Sequence, residues 1–483
     1  MTAARMSVQA LGMVSMLVLA RLLTPADFGL IALAMSVVAL LETLSTFGFD
    51  VPLIQKRDAT RDDFDTAWTL NVILAALIAV LIAVSAPLAA SFYSEPRIVA
   101  ILYCVAAGHF LLGFQNIGTV MFRKQLDFRR DFLLQVTQKL AMVAVGVPLA
   151  FALRSYWALV IAMVVANVAS VVISYMFLPY RPRFCLDSCR TLFAYSKWLQ
   201  VSGMMSYIRD RGYILIMGRA LDSSAVGLFT LAHEIGTLPS TTLVAPLNRA
   251  VLPGFAHLSS DTKSLRDGFK SMLGLSTLLA LPAALGLAAV SALIVPVALG
   301  SRWHSAVPLL MLLSLAGASR TLTASSVSVH YALGHPKHQT VTMAIQAFTL
   351  LPVVAVGVAQ GGVIGAAWAY FLHSMLVFAP ISNWILVRTT PIEVSDIWEP
   401  ICRPVLAGVA MFATVKPISD AWAAPEFSIA LPRLLAMVAL GAAVYFLCVL
   451  LLWTISGRPE GTEALLLRRA ATMIRRNKAR RDR

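Results

Sequence analysis

What most constrains this chain is the length of its apolar runs. Stretches of about 18–25 residues, nearly free of charge, alternate with short polar connections from one end to the other. A run of that length is the span of one helix across a bilayer. It is not the roughly ten-residue alternating segment of an outer-membrane barrel. Of the 483 residues, 59% are hydrophobic and 13% charged, against roughly 45–50% and 25% in soluble domains. No soluble core of this size needs so much apolar surface, so the expected class is an all-α integral membrane protein.

The runs predict about fourteen spans: 6–22, 30–47, 68–89, 99–121, 132–153, 157–178, 193–217, 226–246, 272–293, 306–333, 340–358, 363–387, 401–415 and 434–453. Basic residues test the order, because cytoplasmic loops collect Lys and Arg. Lys56, Arg57 and Arg61 follow the second span, and Arg123, Lys124, Arg129 and Arg130 the fourth. Arg181, Arg183, Arg190 and Lys197 surround the sixth connection, and Arg249, Lys263, Arg266 and Lys270 the eighth. Lys337, Arg388, Arg403 and the tail from Arg458 to Arg483 continue the pattern. The opposite connections hold only Arg21, Arg97, Arg154, Arg219, Arg302, Lys416 and Arg433. Both termini are then expected on the cytoplasmic side.

One stretch occurs twice. Residues 218–232 read GRALDSSAVGLFTLA, and residues 20–34 read ARLLTPADFGLIALA. At an offset of 198, Arg219 falls on Arg21, Leu221 on Leu23, Gly227 on Gly29, Leu228 on Leu30, Leu231 on Leu33 and Ala232 on Ala34. In each copy an apolar helix ends in Arg, a short turn follows, and Gly-Leu opens the next helix. Spans one and seven cross in the same direction, so the halves are expected to be parallel repeats about an axis along the membrane normal. The expected organisation is an N-lobe, 1–180, a C-lobe, 181–390, two extra helices, 391–456, and a basic cytoplasmic tail, 457–483.

The formal charge of +15 would suggest nucleic acid in a soluble protein. Here the charges flank apolar runs, so they are read as topology and anionic headgroup contacts, with no nucleic-acid partner. The five cysteines form no framework; Cys185 and Cys189 share a loop but lack a second pair or a nearby His, so free thiols and no metal are expected. No phosphate-binding GxxxxGK[ST] motif occurs, no cofactor is expected, and no outer loop is long enough for a catalytic domain. The tail LLLRRAATMIRRNKARR reads either as an amphipathic helix on anionic lipid or as a solvated basic tail.

Several motifs point to a family. ARLLTPADFGL after the first span, DTAWTLN at Asp65–Asn71, FRKQLDF at Phe122–Phe128, the stretch 218–232 and Ala-Leu-Gly at Ala332 resemble the Wzx-type lipid-linked oligosaccharide flippases and polysaccharide exporters. The resemblance covers nearly the whole chain. It implies membership of the superfamily that includes the lipid II flippase and the multidrug-and-toxin extruders. It also implies a substrate, an undecaprenyl-diphosphate-linked oligosaccharide moved from the cytoplasmic to the periplasmic leaflet of a bacterial inner membrane. A polysaccharide polymerase and export complex would be further partners, beside membrane lipids. Two departures stand out. Met1 lies almost inside the first span, and Tyr213 stands where many relatives carry an acid six residues before the arginine at 219.

Carrying a diphosphate and sugars through a bilayer requires a polar, preferably cationic, interior. Arg209-Asp210-Arg211 in the seventh span is the sharpest cluster. Helix residues two apart point about 200° apart, so both arginines face one cavity only if the helix breaks, for which Gly212 is suited. One reading is diphosphate binding by one arginine while Asp210 holds the other; the second is a structural ion pair. Arg320 is placed near the middle of the tenth span among Ser314, Ser319, Thr321, Thr323, Ser325, Ser326 and Ser328, which form either a cavity wall or a close-packing face. Lys139 is a candidate partner in the other lobe or a snorkelling lysine. Glu42 and Glu234, like Asp210, are candidates for Na⁺ or H⁺ coupling or for pairing with arginine. His109, His233 and His330, and Asn71, Gln115, Asn116 and Asn167, are read first as packing residues. Pro239, Pro246, Pro282 and Pro352 suggest kinks. The rival readings are a multidrug antiporter, a membrane-bound polymerase or glycosyltransferase, and a scaffold for a synthesis complex.

Overall fold

The structure is a computed structural model. It describes residues 2–45, 53, 56, 60–125, 127–178, 180–187, 189–244, 247, 261–334, 336–423 and 426–458. The basic tail beyond 458, the segment 248–260 and Pro246 lie outside the described residues. Every regular element among them is a helix. Among the described residues nine helices are long and apolar enough to cross a membrane, and two further apolar helices are shorter.

The long helices are α1 (Thr2–Leu22), α2 (Pro25–Ser45), α3 (Arg61–Tyr93), α4 (Arg97–Leu112), α5 (Phe128–Leu153), α6 (Trp157–Phe177) and α7 (Cys189–Ala220). They continue as α8 (Ser223–Pro239), α9 (Thr262–Ala289), α10 (Val307–Ala332), α11 (Pro336–His373), α12 (Ala379–Thr389), α13 (Val394–Ala421) and α14 (Phe427–Ile455). Several of their starts are set by side chains that satisfy the first backbone N–H groups. Thr60 and Asp63 form a reciprocal capping box on α3, Asp127 caps α5 and Asp261 caps α9. Thr24 and Asp27 do the same for α2, with the Thr24 backbone N–H donating to Asp27 Oδ2 at 2.9 Å and the Asp27 N–H to Thr24 Oγ1 at 3.3 Å.

Several spans differ in extent from the sequence expectation, and two of the differences have a local cause. The fourth ends at Leu112 rather than near 121, because Asn116 Oδ1 accepts the Gly118 N–H at 2.9 Å and draws the chain into a 3₁₀ turn over Ile117–Thr119. The thirteenth is longer than 401–415, since Asp396 caps its start and its interior prolines do not end it. The eleventh and twelfth meet at Gly361–Gly362; Gly362 has φ +59°, a left-handed conformation that a side chain would strain.

Contacts divide the chain into two compact units, residues 1–230 with 350–366, and residues 231–349 with 367–483. Helix α8 thus contributes its first two turns to one unit and its remainder to the other. Lipid supplies no hydrophobic drive between spanning helices, so close packing of small residues takes its place. In the first unit α2 and α8 meet at Gly29 and Gly227 with no side chain between them. A Cβ on Gly227 would lie 2.8 Å from the Gly29 nitrogen, and one on Gly29 would lie 3.1 Å from the Gly227 nitrogen. Each would also run into a carbonyl oxygen, that of Pro25 for Gly227 and that of Ser223 for Gly29. In the second unit α8 meets α10 at Gly236 and Gly317, where a Cβ on Gly317 would lie 2.6 Å from the Gly236 oxygen. There α9, α13 and α14 enclose a core of Leu281, Leu285, Met411, Met437 and Tyr445, and Tyr445 Oη donates to the Leu278 carbonyl at 3.1 Å.

Candidate functional site

In the first unit the candidate ionisable groups stand on α2, α4, α5 and α7. Helix α7 runs unbroken through Gly212. Gly212 instead lets Leu351 approach; a Cβ there would lie 3.0 Å from a Leu351 methyl. Asp210 takes Arg209 as a two-pronged pair, Nε to Oδ1 at 2.9 Å and Nη2 to Oδ2 at 2.7 Å. Arg211 is exposed, and on a continuous helix it points about 200° from Arg209. The structure therefore does not bring the two guanidinium groups together. Above them Tyr207 is buried and donates to the Ser36 carbonyl at 2.8 Å, locking α7 on α2.

Glu42 pairs with a histidine: His109 Nδ1 lies 3.1 Å from Glu42 Oε1. The end of the Lys139 side chain lies along α1, where a Cβ on Gly12 would be 3.0 Å from Cε and 3.3 Å from Nζ. Three of the amides hydrogen-bond within the protein. Gln115 Nε2 donates to Ser170 Oγ at 3.0 Å, Asn116 Nδ2 to the Tyr180 carbonyl at 3.0 Å, and Asn167 Nδ2 to the Gly108 carbonyl at 3.3 Å.

The DTAWTLN motif has a mechanical role. Asp65 is buried and accepts from Tyr180 Oη at 2.5 Å and the Arg183 N–H at 3.1 Å. Thr69 Oγ1 accepts the Cys185 N–H at 3.0 Å, and Trp68 packs on Phe184 at 5.0 Å between ring centroids. The motif thus straps the connection after α6 onto the start of α3. Burial, and then the Asp65 carboxylate beside it, push the Tyr180 hydroxyl well above the usual phenol range.

In the second unit Arg320 lies half-buried on α10, with Nη2 3.4 Å from Tyr370 Oη on α11. The His233 ring meets the Tyr370 ring edge-on at 5.0 Å. Glu234, the next residue on α8, is exposed. The α10 hydroxyls are buried; those of Ser319 and Thr323 turn back on carbonyls of their own helix, at 2.7 Å for Ser319 to Ala316. That favours the close-packing reading for them. On α11, Thr349 Oγ1 and His373 Nε2 are 2.8 Å apart, and His373 is buried.

The sequence singled out neither Tyr370 nor His373. Each is one polar residue inside an apolar run, and its value depends on which helix its face meets. An ion network was missed too. Arg266 reaches Glu393 at 2.7 Å and Asp396 at 2.7 Å, and Lys270 reaches Glu399 at 2.7 Å, joining α9 to α13. The signal was available as complementary charge at the starts of two helices. Among the described residues no group of His, Cys, Asp and Glu could hold a metal ion, and the five cysteines are not bonded to each other.

Comparison with known proteins adds to this geometry. The family described as polysaccharide biosynthesis protein matches residues 18–308, well over half of the chain. Among curated proteins the chain is 24% identical to the lipopolysaccharide biosynthesis protein WzxC of Escherichia coli K12, over 78% of this chain and 77% of that one. It is 25% identical to the teichuronic acid biosynthesis protein TuaB of Bacillus subtilis 168, over 82% and 83%. It is 23% identical to the succinoglycan biosynthesis transport protein ExoT of Rhizobium meliloti 1021, over 96% and 92%. Among solved structures its fold is similar to a lipid II flippase, MurJ, in an inward closed conformation. The TM-score is 0.74 at 13% identity, over 94% of this chain and 99% of that one. An inward-facing multidrug transporter of the MATE family has a TM-score of 0.62 at 14% identity, over 80% and 98%.

Proposed function

This chain belongs to the polysaccharide biosynthesis protein family, and we propose that it is a flippase for lipid-linked oligosaccharides. It carries undecaprenyl-diphosphate-linked repeat units from the cytoplasmic to the periplasmic leaflet of a bacterial inner membrane, for exopolysaccharide, capsule or O-antigen. The observation that carries this reading is the coincidence of the family match with the end-to-end likeness of the fold to a lipid flippase.

Fourteen spans are supported by the helices themselves. The apolar run of 337–389 is broken at Gly361–Gly362, α1 and α4 supply shorter apolar helices, and α7 and α8 keep the order. Both termini are then cytoplasmic, with lobes of 1–180 and 181–390, helices of 391–456 and a tail of 457–483. The protein works by alternating access and makes no covalent change to its cargo. Arg211, exposed on α7, and Arg320, within reach of a phenol on α11, attract the diphosphate, with Arg209 and Lys139 adding positive potential. Asp210 tempers Arg209, and Glu42 and Glu234 are the carboxylates offered to a coupling ion. A polymerase and an export complex would receive the product.

Replacing Arg320 by Ala tests the reading. Polymer export should fall at least about tenfold, as expected for loss of a charge-assisted contact, while the protein level in the membrane stays normal. Normal export in that variant would remove Arg320 from the site. A multidrug antiporter would instead reveal itself as drug sensitivity in cells lacking the protein, with export intact.

A further inference from the structure

Cations on the long helices differ in what holds them. Asp210 takes Arg209, and Glu393, Asp396 and Glu399 take Arg266 and Lys270. Arg320 reaches the Tyr370 hydroxyl. Lys139 on α5 is another case. It is half-buried, and among the described residues it makes no hydrogen bond and no ion pair. The end of its side chain rests on α1 at Gly12. Gly12 is the eleventh of the 21 residues of α1, so about 15 Å of helix separates it from either end. A lysine that snorkels carries its ammonium to the headgroups. This one keeps it beside the middle of an apolar helix, where a charge is expensive and is by default a sign of function. The neighbouring positions are polar. On α1, Gln9 and Ser15 stand one turn to either side of Gly12. On α5, Gln135 stands one turn before Lys139, and its amide donates to Asp131 at 2.9 Å. Asp131 is two turns from Lys139, about 12 Å along the helix.

We propose that the Lys139 ammonium, seated on Gly12 where α1 meets α5, is an anion site for a lipid-borne phosphate, and that its occupant is the diphosphate of the cargo. The proposal rests on the flippase reading above, and it makes Lys139 a direct contact instead of a source of potential. An ammonium is a compact charge with three donors, and it suits phosphate oxygens presented in any orientation. Gly12 is a positioning residue. A methyl group there would stand 3.0 Å from Lys139 Cε and 3.3 Å from Nζ, so it would press on the charged end of the side chain. The end of a flexible side chain moves aside easily. Gly12→Ala should therefore fold, with the ammonium displaced.

The experiment uses the full chain in phosphatidylcholine nanodiscs and reads the Kd of farnesyl diphosphate, with a short-chain phosphatidylglycerol as the second ligand. Lys139→Gln should weaken farnesyl diphosphate about tenfold, the loss of one charge-assisted contact. Gly12→Ala should weaken it about fourfold, as for an ammonium moved about 1 Å further from the phosphate. On top of Lys139→Gln, Gly12→Ala should have no further effect. Phosphatidylglycerol should bind more weakly and respond to neither change. Equal binding by the native protein and Lys139→Gln would overturn the anion site. A Gly12→Ala effect that persists without the lysine would overturn the positioning role, because packing alone would then be responsible. Equal losses for phosphatidylglycerol would give the site to bilayer lipid and overturn the assignment to cargo. If Gly12→Ala does not accumulate, Lys139→Gln decides the site, and failure of the double variant as well would overturn the positioning role. Diphosphate binding through Lys139 in a protein whose removal leaves the lipid-linked glycan in the same leaflet would instead remove the flippase reading and leave the anion site standing.

Discussion

The two copies of the elbow, 20–34 and 218–232, agree where backbones touch and differ where side chains finish the local structure. Both place a glycine at the crossing, and each glycine faces the other copy's first helical residue. Both end the incoming helix with an exposed arginine, which suits the negative end of the helix dipole. The caps are unlike. In the first copy Asp27 Oδ2 accepts from Thr24, and its Oδ1 also accepts the Tyr156 N–H at 3.1 Å, tying in the connection before α6. In the second copy Asp222 makes only the local bond to Ala225 among the contacts described for it. The approach residue differs as well. Ala20 is buried with its methyl accommodated, whereas a methyl at the equivalent Gly218 would meet Leu33 and lie 2.6 Å from a Tyr93 ring carbon. Backbone proximity tolerates one residue type; a cap can be supplied by several.

Substitutions can break or sharpen that equivalence. The largest effect is expected from Gly29→Leu and Gly227→Leu. Each should cost more than about 3 kcal/mol in thermal unfolding of the detergent-solubilised protein, the upper range for overpacking, because backbone blocks the side chain on the far side. Losses that differ by more than about 1 kcal/mol would mean that the two glycines are not equivalent. Asp27→Ala should come next, at about 2 kcal/mol, since it removes a cap and a bond to the α5–α6 connection. Asp222→Ala, losing a cap alone, should cost about 1 kcal/mol or less by the same measurement. Equal losses would erase the asymmetry of the caps. Gly218→Ala should cost about 1 kcal/mol, because Leu33 and Tyr93 are side chains that can shift, although Tyr93 is held by its hydroxyl 3.0 Å from Ser36 Oγ. The smallest change belongs to Ala20→Gly, about 0.5–1 kcal/mol from helix propensity, with no effect on export.

The register of this comparison was readable in the sequence, since Gly227 and Gly29 align at one offset and no packing need be known to see it. The helices were equally readable, because bilayer thickness fixes their length. Their ends were less so. The fourth span stops at Leu112 because one asparagine, Asn116, captures a local N–H, and nothing in hydropathy marks that choice. The polar interior was the least readable. Arg209, Asp210 and Arg211 were found as a cluster, but which partner Asp210 takes depends on side-chain reach along a continuous helix. Glu42 was found, and its partner His109 was set aside, because their pairing depends on the rotation of α2 against α4. A one-residue rotation about a helix swings a side chain by about 100°, so composition identifies candidates and only packing selects pairs.

The leaflet that holds the lipid-linked repeat unit tests the central claim most directly. Spheroplasts of cells that make the repeat unit, with the polymerase removed, would be exposed to a membrane-impermeant lectin or glycosidase. With the protein present, most of the lipid-linked glycan should be reached from outside. Without it, or with Arg320→Ala, the same lipid should accumulate out of reach. Equal accessibility with and without the protein would contradict the account, because the lipid would then cross by some other route.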